Sequence, residues 1–429
     1  MTDETVAPAN DLGAGEERRS STWLVSANVA RYGAQTLVVA AAAKFFSAGD
    51  AGTLALAMAI TAPIFVVSNL GLRNLYVTLD PPVSFADYVS VRRSWTGLAL
   101  ALAAASAFVV AGASPLILVL VAVGKAFDGI SDFYIAVYQV GRRSRSVAVA
   151  FLVQVVVTVV GGACAIQADL SFPTFIALAL VASSAATQLY FWLGDPARWR
   201  QFFLRLSGAS SRSARGRLVR AGLPVGLSSG VVALNVAMPQ YAMRASAGEA
   251  DLARYVFITY VPVAVELLLN PLSQAWLPKA RAGKALWTSS VGAAVAVARR
   301  WTLITAPLGF VALGAAVLVL PHVLGEFFRY GVVTMTWVAA SILMLPLVFA
   351  AMTTLTVLNR YREALAVNVT SVVVAGVVAW TFVPSVGIDG GVAALALSQA
   401  VRCGLGLWFL ARRGAVPRLV STVEQGGRS

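Results

Sequence analysis

Long, continuous apolar runs divide this chain of 429 residues. A helix that crosses a bilayer needs about 20 mostly apolar residues. Runs of that length lie near 23–46, 51–72, 95–112, 115–138, 147–167, 172–193, 221–245, 250–278, 301–320, 332–358, 363–384 and 389–411. The strands of a transmembrane barrel alternate in polarity, whereas these runs do not. The sequence therefore predicts an all-α integral membrane protein with about 12 transmembrane helices.

Composition excludes the other broad classes of protein. Hydrophobic residues make up 59% of the chain and charged residues only 12%, whereas charged residues are roughly a quarter of a soluble protein. The net charge of +14 would indicate nucleic acid in a soluble protein, but cytoplasmic loops of membrane proteins collect Lys and Arg. With both termini in the cytoplasm, the external loops hold only Arg244, Arg254 and Arg329. We therefore expect cytoplasmic termini and no nucleic-acid partner.

Short motifs recur in corresponding places of the two halves. The segment 47–51 (SAGDA) recurs as 246–250 (SAGEA), and each copy joins the first two spans of its half. The segment 92–96 (RRSWT) resembles 299–302 (RRWT). These matches predict a duplicated six-helix unit, as in many secondary transporters, with the substrate between the two lobes.

The repeat divides the chain into five parts. They are a cytoplasmic tail 1–22, an N-lobe 23–193 with spans one to six, a basic cytoplasmic linker 194–220, a C-lobe 221–411 with spans seven to twelve, and a tail 412–429. The linker is interpreted as a solvated segment that lies on anionic lipid headgroups.

Several prolines and glycines lie inside predicted spans. Proline removes a helix hydrogen bond and kinks the helix, and small residues at four-residue spacing allow two helices to approach closely. The residues interpreted as hinges or as packing positions, with both alternatives open, are Pro63, Gly222, Pro224, Gly226, Gly230, Pro239 and Pro262.

Five ionisable residues lie inside the predicted membrane. They are Arg31 on span one, Lys125, Asp128 and Asp132 on span four, and Glu266 on span eight. A charge near the bilayer centre costs roughly 2.5–3.5 kcal/mol, so these side chains are expected to face protein or a wet cavity. The three on span four share one helix face. They form either a self-neutralising cluster that locks span four to a neighbour or the wall of a substrate cavity.

Arg31 has no carboxylate within reach on its own helix. A guanidinium in a cavity suits a phosphate, because it offers a bidentate fork of donors. The alternative is an ion pair across helices with Glu266 or Asp132. Three further basic residues, Lys44, Arg244 and Arg254, are expected around the external mouth of the cavity.

Catalytic and metal sites are not indicated. The chain has a single histidine, and its two cysteines lie inside apolar runs. No phosphate-binding loop of the form G-x-x-x-x-G-K-[ST] occurs. The pattern G-x-S-x-G at 226–230 falls within a span and not at a strand-to-helix turn. We expect no catalytic residue, no metal and no cofactor, with coupling to H⁺ or Na⁺ left open.

Span four and its exit resemble a known family. Lys125, Asp128, Ser131 and Asp132, followed by Gln and Arg further along, are similar to a basic-x-x-acidic-x-x-Ser-Asp…Gln…Arg pattern of Wzx-type polysaccharide-biosynthesis flippases. The likeness is strongest over roughly the first 150 residues and includes Arg73 at the end of span two. Two positions depart from the pattern, because Asp128 stands where Glu is more frequent and Ala136 where Gly is expected.

The resemblance implies a transporter of the multidrug/oligosaccharidyl-lipid/polysaccharide exporter (MOP) superfamily. It implies a MATE-like arrangement of two six-helix lobes around a central cavity. Such proteins carry undecaprenyl-pyrophosphate-linked sugar units across the bacterial inner membrane by alternating access. The expected partners are the polyprenyl-linked glycan, membrane lipids, and the glycan polymerase and export machinery.

The resemblance also suggests roles for individual residues. Arg31 and Lys125 are the candidates for the diphosphate, and Asp128, Asp132 and Glu266 complete the charged cavity. The candidates for sugar hydroxyls are Asn28, Gln35, Asn69, Asn235 and Gln240.

Two rival functions follow from the same sequence. A multidrug or small-solute cation antiporter of the same superfamily would use Asp128, Asp132 and Glu266, but it would not need Arg31 and Lys125 in its cavity. A membrane glycosyltransferase or polymerase would carry sizeable external loops, and the predicted external loops are short. The preferred prediction is a flippase and not an enzyme.

Overall fold

Twelve long helices form the computed structural model, which describes residues 14–79, 83–110, 114–140, 143–196, 211–282, 290–358 and 360–412. The helices are α1 (Ala14–Phe45), α2 (Ala48–Ser68), α3 (Phe85–Val109), α4 (Pro115–Val140), α5 (Ser144–Gln167), α6 (Phe172–Gly194), α7 (Arg212–Ser246), α8 (Glu249–Ala282), α9 (Ser290–Leu324), α10 (Val332–Val357), α11 (Tyr361–Val386) and α12 (Ile388–Ala411). A short helix, Leu72–Thr78, lies between α2 and α3. The described residues contain no strand, which confirms the predicted fold class.

Nine of these helices are long and apolar enough to cross a membrane, judged by length and composition over the described residues. The other three are α1, α3 and α4. Helix α4 carries Lys125, Asp128 and Asp132 within eight positions, so its hydropathy is interrupted. Its place inside the bundle follows from the helices that surround it, since α4 packs against α2, α3 and α6.

Several helices begin earlier than the sequence predicts. Helix α1 begins at Ala14 instead of residue 23, α3 at Phe85 instead of 95, and α7 at Arg212 instead of 221. Hydropathy locates the hydrocarbon layer, whereas a helix continues into water for as long as its backbone hydrogen bonds and caps hold it. Parts of the predicted tails and linker (1–13, 197–210 and 413–429) lie outside the described residues.

The predicted N-lobe contains helices α1–α6, and the predicted C-lobe contains helices α7–α12. Within the lobes, α1 lies against α5, α10 against α12, and α11 against both α7 and α12. Between the lobes, α2 packs along both α7 and α8.

Glycines bring α7 close to α2. A Cβ atom on Gly222 would lie 2.5 Å from the carbonyl oxygen of Leu70, and one on Gly226 would lie 2.6 Å from that of Val67. Any larger residue at these two positions would force the helices apart. The next glycine of the ridge, Gly230, faces the Val67 side chain.

The two copies of the repeated motif meet at the predicted external end. The backbone of Glu249, in the second copy, occupies the space that a Cβ atom on Gly52 would fill. Ser47 caps α2 by accepting the Asp50 N–H at 2.9 Å. Buried apolar residues of both lobes form one continuous core here, including Leu54 of α2 and Leu252 of α8. The two lobes are therefore in close apolar contact at this end.

Candidate functional site

Four helices of the N-lobe meet at Asp128, in the middle of α4. Its Oδ1 atom lies 2.9 Å from Nη2 of Arg31 on α1. The same oxygen accepts hydrogen bonds from Gln154 Nε2 of α5 at 3.0 Å and from Ser184 Oγ of α6 at 2.9 Å. The Arg31 guanidinium also lies over the Phe151 ring, 5.0 Å from its centroid. Asp128 therefore links α4 to α1, α5 and α6 through one ion pair and two hydrogen bonds.

A small cavity of about 20 Å³ adjoins the Arg31–Asp128 ion pair. That volume is about what one water molecule requires. Gln35 and Lys125 line it together with Arg31 and Asp128. Within the described residues, Lys125 is attracted by Asp128 but forms no close ion pair with it, since the close partner of Asp128 is Arg31. Its ammonium group is therefore the one most available to a ligand in this cluster.

A second charged cluster lies about one helical turn further along α4, towards the predicted cytoplasmic end. Asp132 Oδ1 lies 3.3 Å from Nη1 of Arg73. Arg92 donates from Nη1 to Asn69 Oδ1 at 2.6 Å, and its Nε and Nη2 atoms are buried with no partner in the structure. The Arg92 side chain is only 1% exposed and lies directly over Gly129 of α4.

Among the described residues, positive charge exceeds negative charge in both clusters. The first contains Arg31 and Lys125 against Asp128. The second contains two arginines against Asp132. The interior of the N-lobe is consequently cationic along α4, an arrangement that favours an anionic ligand over a cation.

Glu266, the predicted cavity residue of the C-lobe, lies apart from these two clusters. Glu266 of α8 lies beside Gln399 and interacts electrostatically with Arg402, both of α12. Arg402 Nη1 donates to Gln399 Oε1 at 3.2 Å. Glu266 is therefore balanced by an arginine of its own lobe.

The predicted partners of Arg31 are wrong. Arg31 pairs with Asp128, and neither Glu266 nor Asp132 is the partner that the sequence suggested. Asp128 is attracted by Lys125 on its own helix, but its close ion-pair partner is Arg31, and Asp132 is paired with Arg73. A cluster that locks α4 to its neighbours and a cavity wall both remain open alternatives. Spacing along one helix could not reveal these partners, since each comes from a distant part of the chain.

The predicted polar residues are distributed between the lobes. Gln35 lines the small cavity, and Asn69 holds Arg92. Asn235 of α7 is buried and donates to Ser398 Oγ of α12 at 3.1 Å, so it joins two helices of the C-lobe. Gln240 of α7 is partly buried. Asn28 lies on α1, and its side chain is outside the described set.

The three predicted mouth residues have different surroundings. Lys44 is exposed at the end of α1. Arg244 pairs with Glu249 at 2.7 Å. Arg254 donates to the backbone oxygen of Arg329 and lies 5.5 Å from the ring centroid of Tyr330. Burial raises the pKa of the Tyr330 phenol, which donates to the Arg254 carbonyl at 2.8 Å.

The four prolines that were predicted to lie inside spans lie inside helices of the structure. Pro63 lies inside α2, Pro224 and Pro239 inside α7, and Pro262 inside α8. Pro63 also lines a large cavity between the lobes.

The large cavity between the lobes has a volume of about 920 Å³ and lies between α2 and α3 on one side and α7 and α11 on the other. Its lining is mostly apolar, with Arg244 as its one charged residue among those described. The sequence predicts that Arg31, Lys125 and Glu266 share one central cavity. This prediction is wrong for the described cavities, because none of the three residues lines the large one.

Sequence reasoning missed Gln154, Ser184 and Arg92. Gln154 is a polar residue in the middle of an apolar span, and that position alone could have marked it. Arg92 was assigned to a cytoplasmic loop because apolar residues begin only after it. The described residues contain no group of three His, Cys, Asp or Glu side chains able to hold a metal ion.

No protein-family model matches the chain. Among solved structures, it is similar to "Lipid II flippase MurJ, inward closed conformation", with a TM-score of 0.64, 10% identity, and coverage of 92% of this chain and 87% of that one. It is also similar to the inward-facing conformation of a multidrug resistance MATE family transporter of the MOP superfamily, with a TM-score of 0.60, 13% identity, and coverage of 91% and 93%.

The fold is that of the MOP-superfamily membrane transporters. The predicted MATE-like fold is thus confirmed. A curated relative is the capsular polysaccharide biosynthesis protein CapF of Staphylococcus aureus, 22% identical over 266 residues, which are 61% of this chain. The chain spans 65% of that relative's length, slightly less than two thirds. The fold and the apolar helices together support a multi-pass membrane protein.

Proposed function

We propose that this MOP-fold protein is a flippase that carries a polyprenyl-pyrophosphate-linked oligosaccharide across the bacterial inner membrane by alternating access, in cell-surface polysaccharide biosynthesis. The excess of positive charge along α4 is the observation that carries the proposal. In the part of the chain that the structure describes, the two clusters at Asp128 and Asp132 contain more basic than acidic groups. A diphosphate requires such surroundings when it leaves water.

A cation antiporter fits these charges less well. Such a transporter needs a carboxylate that is free to bind a cation. In the described part of the chain, Asp128 and Asp132 are paired with arginines, and Glu266 lies near Arg402. Coupling to H⁺ or Na⁺ stays a prediction, as does association with the glycan polymerase and export machinery.

Lys125 is the first residue to test, because its replacement breaks no ion pair. In a strain lacking the gene, a membrane-impermeant sugar-modifying probe is applied to intact spheroplasts. We expect the lipid-linked glycan to accumulate on the cytoplasmic face. The wild-type gene and the exposed control Arg145→Gln should restore export, whereas Lys125→Gln should not, at equal protein levels. Glycan on the outer face without the gene would overturn the flippase proposal.

A further inference from the structure

Helices α3 and α7 face each other along a seam between the lobes, and the seam contains two cavities. The lower cavity, at the predicted cytoplasmic end, has a volume of about 930 Å³ and is lined by Arg212, Arg215 and Arg220 of α7. No acidic residue is among its described lining. Arg215 donates to Ser90 Oγ at 3.4 Å, and its Nε atom is buried with no partner in the structure. This cavity is therefore suited to an anion.

The upper cavity is the apolar space of about 920 Å³ between the lobes. Trp95 lines both cavities, so the two are neighbours along one seam. The upper lining includes Leu98 and Leu102 of α3 and Trp380 of α11, which are each about half exposed. Half-exposed apolar residues on the face of a membrane bundle are accessible to lipid chains.

The length of the seam indicates which kind of lipid fits. Along α3, the upper cavity extends from Trp95 to Val110, which is about 22 Å at 1.5 Å per residue. One leaflet contributes only about 15 Å of the hydrocarbon layer. An acyl chain of one leaflet would fill part of this length, whereas a polyprenyl chain would fill all of it.

We propose that this seam binds the polyprenyl diphosphate part of the substrate, with the diphosphate at the three arginines of α7 and the chain in the apolar space above Trp95. The inference rests on the proposed function and extends it, because it names where the lipid part of the substrate lies while the glycan enters the protein. The seam is an entry site that the diphosphate occupies before it reaches the clusters on α4, which lie inside the N-lobe.

Binding of undecaprenyl diphosphate to the purified full-length protein, followed by native mass spectrometry in detergent, tests the proposal. We expect the triple variant Arg212→Gln, Arg215→Gln, Arg220→Gln to bind about 100-fold more weakly, since each basic residue near a charged lipid contributes roughly a factor of five. The matched control is Arg145→Gln, an exposed arginine at the predicted cytoplasmic end of α5.

The apolar part of the seam is tested separately. Leu102→Trp should reduce binding by filling the upper cavity, whereas Leu152→Trp, on the exposed face of α5, should not. A photoactivatable polyprenyl diphosphate provides a measurement on the unaltered protein, and it should crosslink to α3 and α7.

Three results would overturn the inference. They are wild-type affinity of the triple variant, crosslinks confined to other helices, and equally tight, arginine-dependent binding of phosphatidylglycerol, which would make the seam a general anionic-lipid site. The spheroplast assay stands apart from these measurements. If the seam binds the lipid but loss of the gene does not leave glycan on the cytoplasmic face, the flippase function is refuted. If a variant that no longer binds the lipid at the seam still exports glycan, the proposed role of the seam is refuted.

Discussion

The ion pair between Arg31 and Asp128 allows structure and transport to be separated. The two side chains are only 16% and 13% exposed, so solvent screens the pair weakly. Breaking a buried pair by removing one partner costs about 3–5 kcal/mol, because the other charge stays behind uncompensated. In Arg31→Ala, Asp128 would keep its hydrogen bonds from Gln154 and Ser184 and the attraction of Lys125. We therefore expect the free energy of unfolding to fall by about 3 kcal/mol, the lower end of that range.

The double variant Arg31→Gln, Asp128→Asn removes both charges at once. Replacing a whole buried pair by neutral groups is often neutral or stabilising, so we expect unfolding within about 1 kcal/mol of the wild type. Unfolding of all variants is measured in mixed detergent micelles, with export measured in spheroplasts. If Arg31 binds the diphosphate, the double variant is stable but does not export.

Two results would refute this reasoning. An Arg31→Ala protein as stable as the wild type would show that the pair does not hold the N-lobe together. A double variant that is both stable and fully active would remove Arg31 from substrate binding and leave it a packing role.

The remaining predictions concern packing between the lobes and orientation. Gly52→Val should destabilise the protein by at least the roughly 1–3 kcal/mol of an overpacked core, because the start of α8 occupies the space its side chain needs. Gly33→Ala, with open space around it, is the control, and equal stability of the two variants would contradict the close packing. With the native cysteines replaced by serine, Ser171→Cys should react with an impermeant maleimide on intact spheroplasts, and Ser213→Cys only after permeabilisation. The reverse pattern would invert the orientation that the positive-inside rule predicts.

The sequence by itself predicted an all-α membrane protein of about twelve long helices, and the structure has them. Hydropathy is sufficient for this, because the bilayer forces every backbone polar group into a helix of fixed minimum length. It also determined that the ionisable residues of α4 avoid lipid, because the cost of a charge in hydrocarbon depends on the residue and on its depth. Helix ends were less well predicted, as at Phe85 of α3, because helices continue beyond the hydrocarbon layer.

Only the tertiary structure decided which charges meet. Arg31 and Asp128 lie on helices that are not consecutive, and the partners of that pair, Gln154 and Ser184, come from two further helices. A hydrophobic pattern shows that a residue faces inward, but it carries no information about which neighbour it faces. The seam between α3 and α7 has the same origin. Its arginines and its apolar lining are far apart in sequence, and the packing of two lobes makes them one surface.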